Sequence, residues 1–376
     1  MIPGLDGLRA VAILLVFFLH ADYVYIGWVG VQLFFVLSGF LITDILLRMK
    51  ESETAQDYFK KFYGRRFLRI FPVYYFYIVL MFAITAALIY VGYRTNYMQL
   101  FQKQAPYALA YAYNLFNASP AYSGESRLIG HVWSLSTEEQ FYIFWPLLLF
   151  LTPKKHLKKL FVAGVLVGPL FRLAVTALYK FGAASFLYSK MGVVIYVLPL
   201  SQVDAFALGA LITQFKFPKA RLQFWVLLAL LPAVGLATQY YSTGALDTVS
   251  ALGFPFPLQY DLKQVWGYSY LNYLFALLIY LVVREKMFVR FLDTKFMRYI
   301  GKISYGLYIY HYATIWFVMR IRDFGLQESI AKPLTLVISA IVTFTLAHLS
   351  YKYLEKPILD LKDRFFPLSD NKKATA

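Results

Sequence analysis

Long apolar runs separated by short basic gaps dominate this chain. A helix crosses the hydrocarbon core of a bilayer with roughly 20 apolar residues, within a range of about 17 to 25. On that measure the pattern predicts ten transmembrane helices, near 8–25, 29–47, 70–91, 135–151, 159–178, 193–214, 222–239, 266–283, 303–320 and 333–353. The run 105–118 is apolar but short and rich in tyrosine, and reads as a re-entrant or interfacial segment. Basic residues fall unevenly between the runs. Segments 48–69, 152–158, 215–221, 284–302 and the tail from 354 hold 24 Lys and Arg. The alternate segments hold nine, counting Arg320 at a span edge. Lys and Arg are retained on the cytoplasmic side, so both termini are expected there. The expected fold is an all-α polytopic membrane bundle. Residues 1–360 would form the membrane domain and 361–376 a mobile basic tail.

Composition narrows the class. Hydrophobic residues make up 60% of the chain and charged residues 15%, whereas a soluble domain carries about 25% charged residues. This is the profile of an integral membrane protein. The net charge of +17 would suggest nucleic acid in a soluble chain. Here the cations occupy the gaps that topology requires, and nucleic acid is excluded as a partner. Cysteine is absent, which removes disulfides, thiolate metal sites and thiol nucleophiles. No metal is expected. There is no Gly-rich phosphate loop, and no cleavable signal peptide stands out.

Ionisable residues inside apolar runs are expensive and mark candidate sites. Arg9 and His20 share the first run, eleven residues apart. At about 100° per residue they project from one face, separated by about 16 Å along the axis. Taken singly, Arg9 is equally well an interfacial anchor and His20 a helix–helix hydrogen bond; together on one face they point to function. The fourth run opens His131-Val-Trp133-Ser-Leu-Ser-Thr-Glu138-Glu139-Gln140. Acidic residues suit a helix N-terminus, but that explains one buried glutamate better than two. From opposite directions, Glu138 and His20 reach similar depth, and a carboxylate beside an imidazole is the usual arrangement of a general base acting on a hydroxyl. Before the third run, Arg65, Arg66 and Arg69 follow two lysines. Arg66 and Arg69 share a helical face, and guanidinium groups suit phosphate. Asp204 in the sixth run is read as the structural partner of an arginine. His311, among tyrosines in the ninth, is read first as a packing residue.

These motifs, in this order, resemble acyltransferase family 3. The resemblance rests on Leu5-Asp-Gly-Leu-Arg9 with His20, Val31-Gln-Leu-Phe-Phe-Val-Leu-Ser-Gly39, Arg66-Phe-Leu-Arg69, Trp133-Ser-Leu-Ser-Thr-Glu138-Glu139-Gln-Phe-Tyr142 and Tyr305-Gly-Leu-Tyr-Ile-Tyr-His311. It implies transfer of an acyl group, usually acetyl, from acyl-CoA to a hydroxyl of an envelope glycan such as O-antigen or exopolysaccharide. It implies the bacterial cytoplasmic membrane as the location, and the form without an appended esterase-like domain. His20, Arg9 and Glu138 would be catalytic, and Arg66, Arg69 and Arg65 would hold acetyl-CoA. Trp133, Glu139 and His311 would contact the substrate. The competing class is a transporter or flippase of a lipid-linked sugar with His20 and Glu138 as a proton relay. Transporters commonly show inverted repeats, and no internal repeat is evident here.

Overall fold

A computed structural model describes residues 2–182, 191–246, 248–258 and 262–368. Among these residues the chain is helical and contains no strand. The first helices are α1 (Leu5–His20), α2 (Val29–Ser52), α3 (Ala55–Tyr90), α4 (Thr95–Leu109), α5 (Tyr113–Ala118), α6 (Trp133–Leu151) and α7 (Leu157–Lys180). Then come α8 (Met191–Val197), α9 (Pro199–Gln214), α10 (Ala220–Thr243), α11 (Lys263–Glu285), α12 (Val289–Leu292) and α13 (Lys295–Lys302). The last are α14 (Ser304–Val318), α15 (Glu328–Ser350), a π-helical turn Tyr351–Glu355 and α16 (Lys356–Phe365). Lys190, one of the nine cations of the alternate segments, and the end of the expected tail from 369 lie outside the described residues.

Every expected span overlaps a helix. Six helical stretches are long and apolar enough to cross a membrane on length and composition, or seven when α8 and α9, bent by 44°, count as one. The expected first span, 8–25, is shorter than the pattern suggested. Helix α1 stops at His20 because Asp22 adopts a left-handed backbone (φ 64°) and the amides of Ala21, Asp22 and Tyr23 close back onto the last turn. Asp is among the few residues that tolerate that conformation. Likewise α6 begins with polar residues and α14 has only 15 residues. The helices carrying His20 and His311 are therefore short, and the one carrying Glu138 opens on a polar stretch.

The chain divides into two compact units. The first comprises Met1–Asp44, Asn117–Tyr122 and Leu151–Lys302; the second comprises Ile45–Phe116, Ser123–Phe150 and Ile303–Ala376.

Small residues set the packing of the first unit. A Cβ on Gly39 would lie 2.1 Å from the Phe206 carbonyl oxygen, and one on Gly209 would lie 2.1 Å from that of Val36. Helices α2 and α9 thus cross backbone to backbone, as membrane helices do where small residues meet. At the N-terminus, Gly7 fits against the Leu292 carbonyl and Gly301 against that of Asp6. The Asp6-Gly7 motif is clamped between α12 and α13. Gly39→Leu is expected to drive α2 and α9 apart, costing at least the roughly 1–3 kcal/mol of ordinary overpacking. Thermal unfolding in detergent would show a lowered midpoint; an unchanged one would contradict the crossing.

Beneath that crossing lies a charged pair. Arg172 on α7 and Asp204 on α9 are both wholly buried, with Nη2 to Oδ2 at 2.7 Å and Nη1 to Oδ1 at 3.2 Å. Arg172 also donates to Ser269 at 2.6 Å, and to the carbonyls of Val265 at 3.1 Å and Ser201. Asp204 accepts from Ser269 at 2.6 Å and Asn272 at 3.2 Å. This is the structural arginine partnership expected for Asp204. Gly168 makes room for it, since a Cβ there would meet the Asp204 carboxyl carbon at 2.7 Å.

Candidate functional site

Arg9 and His20 belong to the first unit. Both are half-buried, and they share α1. Arg9 pairs with Asp6 at 2.5 Å, one helical turn earlier. The glycine contacts at Gly7 and Gly301 fix that turn, so the guanidinium is held by a carboxylate that is itself clamped. His20 is the last residue of the helix, immediately before the chain reversal. Its imidazole sits where the chain leaves α1 rather than inside a continuous span.

All the other candidates belong to the second unit. Helices α3 and α6 run side by side there. Tyr58 donates to the Pro146 carbonyl and Tyr63 to that of Ile143, each at 3.0 Å. Further along the same seam, the half-buried Arg66 guanidinium stands 5.1 Å above the Tyr142 ring. It feels the charges of Glu138, Glu139 and Arg69. Glu138 accepts a hydrogen bond from the Tyr142 hydroxyl one turn along its own helix. Arg66 therefore lies toward the carboxylates of α6, with Arg69 near it on α3.

Arg69 has its own acidic neighbour, Glu355, which is buried at the end of the π-helical turn. Glu355 accepts from Ser350 at 3.3 Å, and Tyr310 donates to Ser350 at 3.1 Å. Single π turns concentrate at functional sites. Arg65 is engaged differently. It pairs with Asp363 at 2.8 Å and donates to the Phe366 carbonyl at 2.7 Å, while the Phe366 ring covers Gly64. Arg65 thus fastens α16 to α3. This docking brings Lys362 within the field of Arg65, Arg66 and Arg69.

His311 is fully buried, and its Nδ1 donates to the Tyr308 carbonyl at 2.7 Å. Its ring centre lies 5.4 Å from that of His131, whose Nε2 donates to the Ile309 carbonyl at 3.1 Å. The buried imidazole of His311 is thus engaged by the backbone of its own helix and by a second buried ring. Trp133, the first residue of α6, is also buried. The Glu139 Oε1, like the His131 Nδ1, is buried with no hydrogen-bond partner among the described residues.

Sequence reasoning passed over Tyr142, Glu355, Lys362 and Tyr111. Of these, Glu355 had a signal in the sequence, as an acidic residue closing an apolar run just before Lys356-Pro357. Tyr142 stood at the end of the Trp133 motif without a role of its own, and Tyr111 was lost among 32 tyrosines. No group of three or more metal-ligand side chains converges among the described residues.

Comparison with known proteins gives a consistent picture. Residues 2–352 match a family model described as an acyltransferase domain. YrhL of Bacillus subtilis, whose assignment as a peptidoglycan O-acetyltransferase is provisional, is 30% identical over 95% of this chain and 55% of its own length. The peptidoglycan O-acetyltransferase OatA of Listeria monocytogenes is 30% identical over 95% of this chain and 56% of its own. The O-acetyltransferase OatA of Staphylococcus aureus is 26% identical over 99% of this chain and 60% of its own. The chain thus spans a little over half the length of these curated relatives. No solved structure matches it.

Proposed function

Because the chain belongs to acyltransferase family 3, we propose that it is a multi-pass membrane O-acetyltransferase acting on an envelope glycan in the bacterial cytoplasmic membrane. The acceptor class follows the relatives, two of which are named for peptidoglycan. Peptidoglycan is therefore preferred here over O-antigen or exopolysaccharide.

The observation that carries this reading is the gathering of Arg66, Arg69 and Lys362 in the second unit. Like charges repel, so cations held together from two helices suit a polyanionic ligand. Acetyl-CoA, with its phosphates, is such a ligand, and arginine forks bind phosphate with two parallel hydrogen bonds. The neighbouring carboxylates, Glu138 and Glu139 for Arg66 and Glu355 for Arg69, would keep the guanidinium groups oriented. His20 is the proposed general base that takes the proton of the acceptor hydroxyl as its oxygen attacks the thioester carbonyl. Coenzyme A leaves as its thiolate and is then protonated. An acyl-imidazole formed on His20 is the two-step variant of the same chemistry. Arg9, held by Asp6, and Glu138 are assigned supporting charge roles. Arg65 is assigned to fastening α16, with a lesser part in donor binding.

Arg66→Ala is expected to raise the KM for acetyl-CoA by about 10- to 100-fold, the worth of a lost charge-assisted hydrogen bond. The kcat should fall less. Steady-state transfer from labelled acetyl-CoA to a soluble glycan strand tests this, and an unaltered donor KM would remove Arg66 from the donor site. If the wild type turned over no acyl donor with any glycan, transport of a lipid-linked sugar would become the better reading.

A further inference from the structure

Tyr111 closes α4 in the left-handed conformation, with φ 50°. Glycine is the residue that ends a helix this way without strain. A tyrosine there costs conformational energy, so its side chain has something to do. Part of that is packing. Its ring stacks on Tyr74 at 4.4 Å and on Phe71 at 5.2 Å between centroids. Packing alone would be served by phenylalanine, however. The hydroxyl of Tyr111 is buried and has no hydrogen-bond partner among the described residues.

The backbone at this point is held on purpose. Gln140 donates to the Tyr111 carbonyl at 2.9 Å, and the Gln140 and Asn114 side-chain amides bond each other in both directions, at 2.9 and 3.0 Å. Helix α4 itself lies antiparallel along α3. Gln102 meets Thr85 at one end, and the carbonyls of Ala108 and Leu109 accept from Tyr74 and Tyr75 at the other. The segment expected to be re-entrant thus descends along α3 and turns at Tyr111. The residue next to Gln140 is Glu139, whose Oε1 is likewise buried without a hydrogen-bond partner among the described residues. Tyr111 lies within the field of Glu139, as do Tyr74, Tyr75 and Tyr305. All these residues belong to the second unit.

A buried acceptor and a buried hydroxyl left open are each costly. One small group satisfies both if it donates to the carboxylate and accepts from the phenol. A hydroxyl does this with a single oxygen; an amide N–H cannot. The surrounding Phe71, Tyr75, Tyr111 and Tyr305 are only half-buried, which suits the apolar face of a sugar ring. We propose that Tyr111 and Glu139 form the grip for a sugar hydroxyl of the glycan acceptor. This rests on the acetyltransferase reading for the identity of the ligand.

The test is a calorimetric titration of the full chain in nanodiscs with a soluble peptidoglycan glycan strand stripped of its peptides, and separately with acetyl-CoA. Wild type, Tyr111→Phe and Glu139→Gln would be compared, with unfolding midpoints alongside. Tyr111→Phe keeps both ring stacks and should fold normally. Each variant is expected to bind the strand about tenfold more weakly, the loss of one hydrogen bond to a charged or buried partner, with acetyl-CoA binding unchanged in Tyr111→Phe. Equal strand binding in the variants, as a buried water between the two oxygens would give, overturns the proposal. So does a loss confined to acetyl-CoA, or no strand binding by the wild type. Strand binding without acetyl transfer would instead refute the enzymatic reading and leave the grip standing.

Discussion

His20→Ala is expected to reduce acetyl transfer from acetyl-CoA to a glycan acceptor by about 10³-fold or more, with the unfolding midpoint nearly unchanged. A positioned general base contributes roughly 10²- to 10⁴-fold, and a nucleophile that carries the acyl group contributes at least as much. Both proposed mechanisms run through this imidazole, so the loss does not depend on which is correct. The fold should survive because His20 is the terminal residue of α1 and only half-buried. The hydrogen bonds that close the helix there are made by the backbone of the next three residues. Transfer at the wild-type rate in well-folded His20→Ala protein would end the assignment. A lowered midpoint with residual transfer would recast the residue as structural.

Arg172→Met is expected to be the most destabilising single change outside that chemistry. It strips Asp204 of its cation while leaving the carboxylate wholly buried between α7, α9 and α11. Removing one partner of a buried ion pair costs about 3–5 kcal/mol, and the medium surrounding a membrane helix gives the bare charge no cheap escape. Most of the protein should fail to elute as a folded species from size exclusion in detergent. The double variant Arg172→Met, Asp204→Leu should recover much of the loss, because a pair of apolar residues leaves no orphan charge. If the double were as unstable as the single, the hydrogen bonds to Ser201, Val265 and Ser269 rather than the charge pair would be the source of stability.

The two changes separate what was legible in the sequence from what was not. Arg9 and His20 could be found because helical periodicity puts residues eleven apart on one face, whatever surrounds the helix. Arg66 and Arg69 were legible for the same local reason. Arg65 was not distinguishable from them, since its engagement by Asp363 depends on a helix almost 300 positions later in the chain. Asp204 invited an arginine partner, yet nothing in the order of residues singled out Arg172. Tyr111 could not be seen at all. Its meaning lies in a left-handed backbone and an unanswered hydroxyl, and neither is a property of composition or spacing.

The extent of the first span shows the same boundary. Hydropathy carried the helix to residue 25, because apolar side chains continue there, whereas the backbone turns at Asp22. Conversely, Gly39 and Gly209 look unremarkable in apolar runs until two helix backbones are found in contact through them. By itself, then, the sequence determined that this is a helical membrane protein, which helix faces carry charge, and which family it belongs to. All of these follow from local periodicity, transfer free energy and motif order. Only the tertiary structure decided which carboxylate answers which arginine, that α16 brings Lys362 to Arg66 and Arg69, and that the Tyr111 hydroxyl and a Glu139 oxygen are each left open. Those pairings join residues distant in the chain, and packing selects one set among many that the same sequence pattern would allow.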